Sequence, residues 1–496
     1  MSDSVFFWAY LGLLALLSLV ALHRLALALA SLRVRSVADH TPRSFPTVLV
    51  QLPLYNERYV AQRIIDAVCA LDYPRDSLEI QVLDDSTDDT PQIVTRAVER
   101  WRGQGVHIDH IRRENREAFK AGALAEGLRR SQSELVAIFD ADFLPAADFL
   151  TSLVSHFEDP GVGLVQARWG HLNRHESFLT ETQAILLDGH FLNEHGGRFA
   201  RGHFFNFNGT AGIWRRTCIV DAGGWSGATL TEDLDLSYRA QLKGWRFVYR
   251  PDVVVPAELP ADTAAFKIQQ HRWAKGSIET ACLLLPKIFR AHTIPIRRRL
   301  EAAMHLGGNF AYPAVLVLTL MMPFAIGIRY DSDPWVSLLL DALFLAGSTG
   351  SLVLFYVLAE HRVGLSWRTL VHLPLVLAMG IGLAVNNSRA VFEAFWLKRS
   401  EFARTPKRGD SVADLFDMGA FTAAPWQALI EVAFGLYMFG AVVLAALTGR
   451  FLALPFLALF ASGFLFVGLA SLRRPMLLAL QRALTALPRP KRIQGL

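Results

Sequence analysis

The sequence predicts an α/β domain, built on a doubly wound parallel sheet, inserted between helices that cross a membrane. Three observations carry that expectation. Hydrophobic residues make up 52% of the 496 and charged residues only 19%, whereas a soluble domain averages roughly a quarter charged. The charge-poor stretches sit at the two ends, up to about Leu32 and from Leu306 onward. Between Thr41 and about Leu300, short apolar runs alternate with helix-periodic segments of ordinary polarity, the pattern of a parallel sheet covered by helices.

Within the middle region, Pro46–Leu52, Leu78–Leu83 and Leu135–Phe139 read as buried strands. Glu57–Leu71, with Val60, Ile64, Ile65 and Val68 on one face, and Asp88–Trp101 read as helices between them. Ligands of such sheets bind beyond the carboxyl ends of the strands. Asp84-Asp85 and Asp140-Ala141-Asp142 both fall at that edge, which predicts one shared site.

At the N-terminus, Val5–Leu22 is just long enough to span, at ~18 residues. Asp3 stands where a signal peptide has a basic n-region, and Arg24, Arg33 and Arg35 follow the apolar run. An uncleaved anchor over 1–40 is expected, with the chain emerging on the cytoplasmic side. The middle domain covers 41–300 and a C-terminal bundle 301–496. Leu306–Ile328, Trp335–Ala359, Trp426–Leu447 and Phe451–Leu472 qualify as spans. Leu370–Val385 is shorter. If it crossed, the basic segment with Arg389, Lys398, Arg399, Arg404, Lys407 and Arg408 would face outward, against the positive-inside tendency. It is expected to be re-entrant or interfacial, which gives about five spans in a multi-pass protein of a bacterial inner membrane. The net charge of +5 comes from dispersed Lys and Arg, so the lipid bilayer, and no nucleic acid, is the expected partner. Cys69, Cys218 and Cys282 lie far apart and suit a reducing compartment. The chain has no GxxxxGK[ST] loop, as a nucleotide-driven transporter would need.

Asp140 and Asp142 flank one alanine at a strand end. Alternate strand residues point the same way, so both carboxylates can face one point. They suit Mg2+ or Mn2+, which bind through one or two carboxylates plus substrate phosphates; a solvated turn is the plainer reading of the triplet alone. Asp84 and Asp85 suit hydrogen bonds from a base and ribose, although the following Ser86–Thr90 also reads as a helix cap. Tyr55 and Glu57, after the first strand, form a candidate base pocket, and Lys120 a point charge for a phosphate. Asp233, in Thr231-Glu232-Asp233, is the candidate general base, since a sugar hydroxyl attacking an anomeric carbon must lose its proton. Asp235 ranks below it, and acids at a helix start also favour the dipole. Asn208 and Gly209 mark a loop where backbone approaches a ligand closely. Gln269 can share a helix face with Arg272 or Trp273: arginine neutralises a diphosphate and indole offers a flat apolar face to a sugar.

Taken together, Asp84-Asp85, Asp140-Ala141-Asp142, Thr231-Glu232-Asp233 and Gln269-Gln270-His271-Arg272-Trp273 resemble the D,D,D,QxxRW signature of processive family-2 glycosyltransferases. That group includes cellulose, hyaluronan and chitin synthases. Gln81–Thr87 and Phe207–Arg215 are most similar to the cellulose-synthase-like A and C branches, which make the β-1,4 backbones of mannan and xyloglucan. The resemblance covers about Val48 to Ile278. It implies a GT-A-type nucleotide-sugar-binding domain, with Asp233 as base, Asp140 and Asp142 around a metal (Mg2+ or Mn2+) and the diphosphate, and Asp85 at the nucleotide. Glu232, Gln269, Arg272 and Trp273 would border the acceptor and diphosphate. The implied activity is an inverting hexosyltransferase that extends a β-linked polysaccharide from a nucleotide sugar, UDP-glucose ahead of GDP-mannose. Addition of single sugars to a lipid acceptor, yielding a glycolipid, is the alternative. Near 387–425, Phe402–Lys407 resembles the cytoplasmic FxVTxK gating loop of bacterial cellulose synthase, with Arg404 in place of the valine.

Overall fold

The computed structural model describes residues 3–34, 42–330, 334–364, 367–396 and 425–486. After an N-terminal helix α1 (Asp3–Ser31), seven strands form one sheet: β1 (Val48–Leu54), β2 (Leu78–Asp84), β3 (Ile108–Arg112), β4 (Leu135–Ile138), β5 (Val162–His171), β6 (Gly212–Arg215) and β7 (Arg246–Ala257). Their order is β3-β2-β1-β4-β6-β5-β7. The three apolar runs picked out in the sequence become β1, β2 and β4, side by side and parallel. The sheet is nevertheless mixed, not all parallel, because β6 runs antiparallel to both β4 and β5. Ile138 of β4 pairs with Gly212 of β6, so the loop before β6 arrives at the carboxyl end of β4. That single reversed strand brings Asn208 and Gly209 to the ligand edge.

Helices cover both faces because strand residues alternate between them. Val50, Leu52, Ile80 and Val82 pack under α2 (Ala61–Cys69), α3 (Thr90–Arg102) and α5 (Phe149–Leu153). Leu49, Leu83, Val136, Ile138 and Trp214 pack under α4 (Phe119–Arg130), α8 (Arg216–Asp221) and α9 (Glu232–Leu242). Between β5 and β6, α6 (Phe178–Asp188) runs through a π-helical turn, Gly189–His195, into α7 (Gly196–Ala200). The long α10 (Thr263–Arg290) and then α11 (Ile296–Gly307) lead to the C-terminal helices.

Those are α12 (Ala311–Tyr330), α13 (Pro334–Leu345), α14 (Ser351–Arg362), α15 (Trp367–Gly382), α16 (Ala384–Phe395), α17 (Pro425–Leu447) and α18 (Leu454–Ala486). Among the described residues six helices are long and apolar enough to cross a membrane: Val5–Ser31, Ile296–Ala325, Ala342–Arg362, Thr369–Phe395, Trp426–Leu447 and Phe451–Arg473. Large apolar side chains such as Leu19, Phe324, Leu436 and Leu447 point outward from them. By length and composition, then, the count is six where about five were expected. The additional helix is the segment read as re-entrant or interfacial, and its packing is unlike that of its neighbours. It breaks at Leu383 into α15 and α16. At its start Thr369 approaches Glu360, which Arg174 of the sheet domain binds at 2.5 Å. At its end Glu393 lies 3.1 Å from His271 of α10. Between these ends α6 packs along α15, Leu179 against Met379 and Leu383, and Ile185 against Leu373 and Val376. Both ends of the segment therefore touch the sheet domain. The basic stretch Lys398–Arg408, with Phe402–Lys407 inside it, lies outside the described residues.

Candidate active site

The carboxyl ends of β1, β2 and β4 open into a cleft of about 1320 Å3, partly open to solvent. It is lined by Tyr55, Glu57, Asp85, Lys120, Asp140, Asp142, Asn208, Gly209, Glu232, Asp233, Gln269, Arg272 and Trp273. These residues come from widely separated parts of the chain, and the sheet edge gathers them.

Asp84 does not line the cleft. It is the last residue of β2, buried beneath the edge, where its carboxylate receives the Ser86 N–H at 2.9 Å and lies 2.9 Å from His110 Nε2. Burial opposes its charge, but the His110 and Ser86 hydrogen bonds win and hold the carboxyl below its usual range. Its role is to shape the turn after β2. Asp85, one residue on, faces the cleft, because successive residues of an extended chain point opposite ways. Arg113 clamps it with two hydrogen bonds, Nε to Oδ1 at 3.0 Å and Nη2 to Oδ2 at 2.5 Å. Beside it the Arg116 guanidinium stacks on the Tyr55 ring, 3.3 Å from the centroid. Neither arginine stood out in the sequence: the run Arg112-Arg113-Glu114-Asn115-Arg116-Glu117 has the composition of a solvated surface loop.

β4 ends at Ile138, so Asp140 and Asp142 sit in the turn that follows and not on a continuing strand as expected. The turn closes with Phe143 N–H donating to Asp140 O at 3.1 Å. Both carboxylates still reach the cleft. Asp140 accepts a hydrogen bond from Lys120 Nζ at 2.6 Å, and its backbone N–H donates to Thr210 Oγ1 at 2.9 Å. Asp142 is almost fully buried and receives the Glu258 N–H at 3.3 Å. Among the described residues no cluster of three or more His, Cys, Asp or Glu side chains surrounds a cation position. Two carboxylates lining one cleft fit a hard ion that takes its remaining oxygens from phosphates and water.

Asp233 is the second residue of α9, half-buried across the cleft. Its Oδ1 accepts the Leu234 N–H at 2.8 Å. Burial and the adjacent Glu232 carboxylate push its carboxyl up to about 7, against the pull of Lys120 and Arg272. Lys120, in turn, is held above its ordinary range: burial favours the neutral amine, but Asp140, Glu232 and Asp233 outweigh it. Lys120 Nζ also donates to Gly209 O at 2.9 Å. Gly209 has φ +81°, and a Cβ there would lie 3.1 Å from Asp233 Oδ2, so glycine alone lets the loop lie against Asp233. Asp235 is turned away and paired with Arg239 at 2.7 Å.

Helix α10 carries Gln269, Arg272 and Trp273 to the opposite wall. Trp273 joins an aromatic cluster with Trp169 of β5, 6.4 Å away, and Trp169 meets Phe143 at 5.1 Å. Trp169 also lines the cleft; its single indole in an otherwise ordinary strand gave no signal in the sequence. His271, on the far side of α10, faces Glu393.

The arrangement can therefore hold an anionic donor between Lys120, Arg272 and two carboxylates, with a carboxylate base opposite and an indole beside it. Residues 46–276 match the family described as "Glycosyltransferase like family 2". The chain is 40% identical over 339 residues to glucomannan 4-beta-mannosyltransferase 2 of Arabidopsis thaliana, covering 65% of this chain and 63% of that protein. It is 45% identical over 263 residues to glucomannan 4-beta-mannosyltransferase 1 of Oryza sativa subsp. japonica, covering 52% and 50%. The chain thus matches about half to three-fifths of the length of these relatives. Among solved structures, the mannosyltransferase PcManGT from Pyrobaculum calidifontis, in complex with GDP-Man and Mn2+, is similar in fold, with a TM-score of 0.52 at 24% identity over 72% of this chain and 98% of that one. Over residues 46–276 the chain is thus similar to family-2 glycosyltransferases, through a domain of GT-A type.

Proposed function

We propose that this protein is a membrane-embedded, inverting hexosyltransferase that extends a β-linked polysaccharide, with GDP-mannose as donor. One observation carries the chemistry: Asp233, a half-buried carboxylate that burial and Glu232 push up to about 7, shares one cleft with Lys120 and Arg272. In this reading Asp85, held by Arg113, and Tyr55, under Arg116, receive the nucleoside. Asp140 and Asp142 would hold Mg2+ or Mn2+, which when bound neutralises diphosphate charge. The acceptor sugar rests on Trp273, beside Gln269. Its hydroxyl attacks the anomeric carbon, Asp233 Oδ2 takes the hydroxyl proton, and the nucleoside diphosphate leaves toward Lys120 and Arg272. One displacement needs no protein nucleophile and inverts the anomeric centre.

The donor order expected from the sequence is reversed here. UDP-glucose finds no support among the relatives named above, which are mannosyltransferases. They are plant proteins, so a bacterial inner membrane finds no support in them either. The multi-pass placement rests on the apolar helices, and a polymer product on the naming of the relatives for glucomannan.

The test incubates purified protein in detergent with Mn2+ or Mg2+ and GDP-mannose, UDP-glucose or UDP-N-acetylglucosamine, followed by linkage analysis. GDP-mannose should yield a β-1,4-linked polymer, and Asp233→Asn should yield it at least about 10²-fold more slowly. Transfer from UDP-glucose alone, or a glycolipid bearing one sugar, would overturn the donor or the processive reading.

A further inference from the structure

A second cavity lies away from the cleft, where the last turn of α1 meets the turn after α7 and the first turns of α11. It is a hollow open to solvent, and its wall carries Arg33, Arg201, His203 and Arg297. Glu301 is the one acid among its described lining residues, and that carboxylate is already engaged by His23 at 2.7 Å and by Arg198 at 3.1 Å. The positive charge of the wall is thus left over. One buried nitrogen of a wall residue, His203 Nδ1, has no hydrogen-bond partner.

We propose that this cavity binds the phosphate headgroup of an anionic lipid. Guanidinium groups match phosphate oxygens in geometry and remain charged. The same two helices supply the second half of the ligand's chemistry. Leu29 and Leu32 on and just after α1, and Ile296 and Leu300 on α11, are more than half exposed, and Leu300 and Met304 are part of the cavity wall. A basic cup with an apolar rim, between the end of the apolar α1 and the start of the amphipathic α11, fits a molecule with a phosphate and acyl chains; a free phosphate would leave the rim bare. Burial, reinforced by Arg201, Arg297 and Arg298, holds the His203 imidazole below its usual range. The arginines therefore supply the charge at neutral pH, with the imidazole free to accept or donate a hydrogen bond. The site rests on the membrane placement of α1 and α11 and not on the transfer chemistry.

Native mass spectrometry of the full chain in detergent, with phosphatidylglycerol or phosphatidylcholine added at equal concentration, tests the site. Wild type should retain phosphatidylglycerol about tenfold better. Arg33→Ala/Arg297→Ala should lose that preference, and Arg33→Lys/Arg297→Lys should keep most of it. Both arginines are exposed; Arg33→Ala alone, expected to weaken retention several-fold, serves if the double variant does not fold. Glycerol phosphate at millimolar concentration should not compete. Equal retention of the two lipids, an unchanged preference in the alanine variants, or displacement by glycerol phosphate would each overturn the proposal. Sugar transfer measured on the same samples keeps the two readings apart: lost lipid preference with intact transfer bears on this site alone, and absent wild-type transfer on the other alone.

Discussion

Asp233 is useful as a base only in its ionised form, and its surroundings set the pH at which that form appears. With the carboxyl near 7, the transfer rate should climb with pH through about 7 and level off above it. Glu232→Gln removes a neighbouring negative charge that disfavours ionisation, so the rising limb should move to lower pH. Lys120→Met removes a cation and should move it higher. A pH–rate profile of each variant reads the midpoint directly, and an unmoved limb in both would mean that another group is titrating. Asp233→Asn should cut kcat by about 10²–10⁴-fold while donor affinity changes little. Gly209→Ala forces a left-handed φ on a Cβ that meets Asp233 Oδ2; a cost of about 1–3 kcal/mol is typical of such strain, and kcat should fall more than KM rises. The acids of this site were legible because each sits at the end of an apolar run or a helix start, where spacing alone predicts a shared edge. Arg113, Arg116 and Trp169 were not. What distinguishes them is where a loop folds back onto Asp85 and Tyr55, and which of its two faces β5 turns to the cleft.

Helix α10 does two jobs, and only one was visible beforehand. Its Gln269, Arg272 and Trp273 face the cleft, while Lys267, two residues before Gln269, is fully buried against the membrane-side helices. Lys267 Nζ donates to both oxygens of Glu431 in α17, at 2.7 and 2.8 Å, and to Ser471 of α18 at 3.2 Å. Asn386, opening α16, donates to the Lys267 carbonyl at 2.9 Å. Two charges taken out of water attract strongly but must first be desolvated, so the pair as a whole adds little stability, whereas breaking it leaves one charge stranded. Lys267→Met or Glu431→Met should each lower stability by about 3–5 kcal/mol, and Lys267→Met/Glu431→Met should recover most of the loss. Denaturant midpoints of the three variants check this; additive losses would mean that the pair is not coupled. The pair ties the cleft-lining helix α10 to α17 and α18. The elements themselves divide along the same line. β1, β2 and β4 are central and covered on both faces, so they read as unbroken apolar runs. β7 is an edge strand whose buried Arg250 is satisfied by Asp252 and the Ser152 carbonyl, and β6 is four residues long. A strand whose polar residues are satisfied by distant partners has no apolar periodicity to find, so the reversed β6 and the mixed sheet stayed hidden.

At the scale of the whole molecule, hydropathy and packing disagree about Thr369–Phe395. Twenty-seven residues of mean apolar character are enough to cross hydrocarbon, but length licenses a crossing without requiring one. A helix that crosses must part its two ends by the thickness of the bilayer, about 30 Å. Here the start is tied to Arg174 through Glu360 and the end to His271 through Glu393, and α6 runs alongside between them. α15 and α18 also approach closely enough that a Cβ on Gly382 would strike the Gly463 backbone, which anchors α15 to the bundle without carrying it through. The segment should therefore enter and leave on the side of the sheet domain, with α1, α12, the continuous α13–α14, α17 and α18 as the crossings. Single cysteines report the side. With Cys282, the exposed native thiol, replaced by serine, His292→Cys marks the sheet-domain side just after α10, Trp396→Cys the end of α16, and Thr448→Cys the turn between α17 and α18. All three positions are exposed. In sealed vesicles an impermeant maleimide should label Trp396→Cys and His292→Cys together, and Thr448→Cys only from the opposite face. Labelling of Trp396→Cys from the face opposite His292→Cys, with Thr448→Cys then labelled in step with His292→Cys, would make Thr369–Phe395 a sixth crossing.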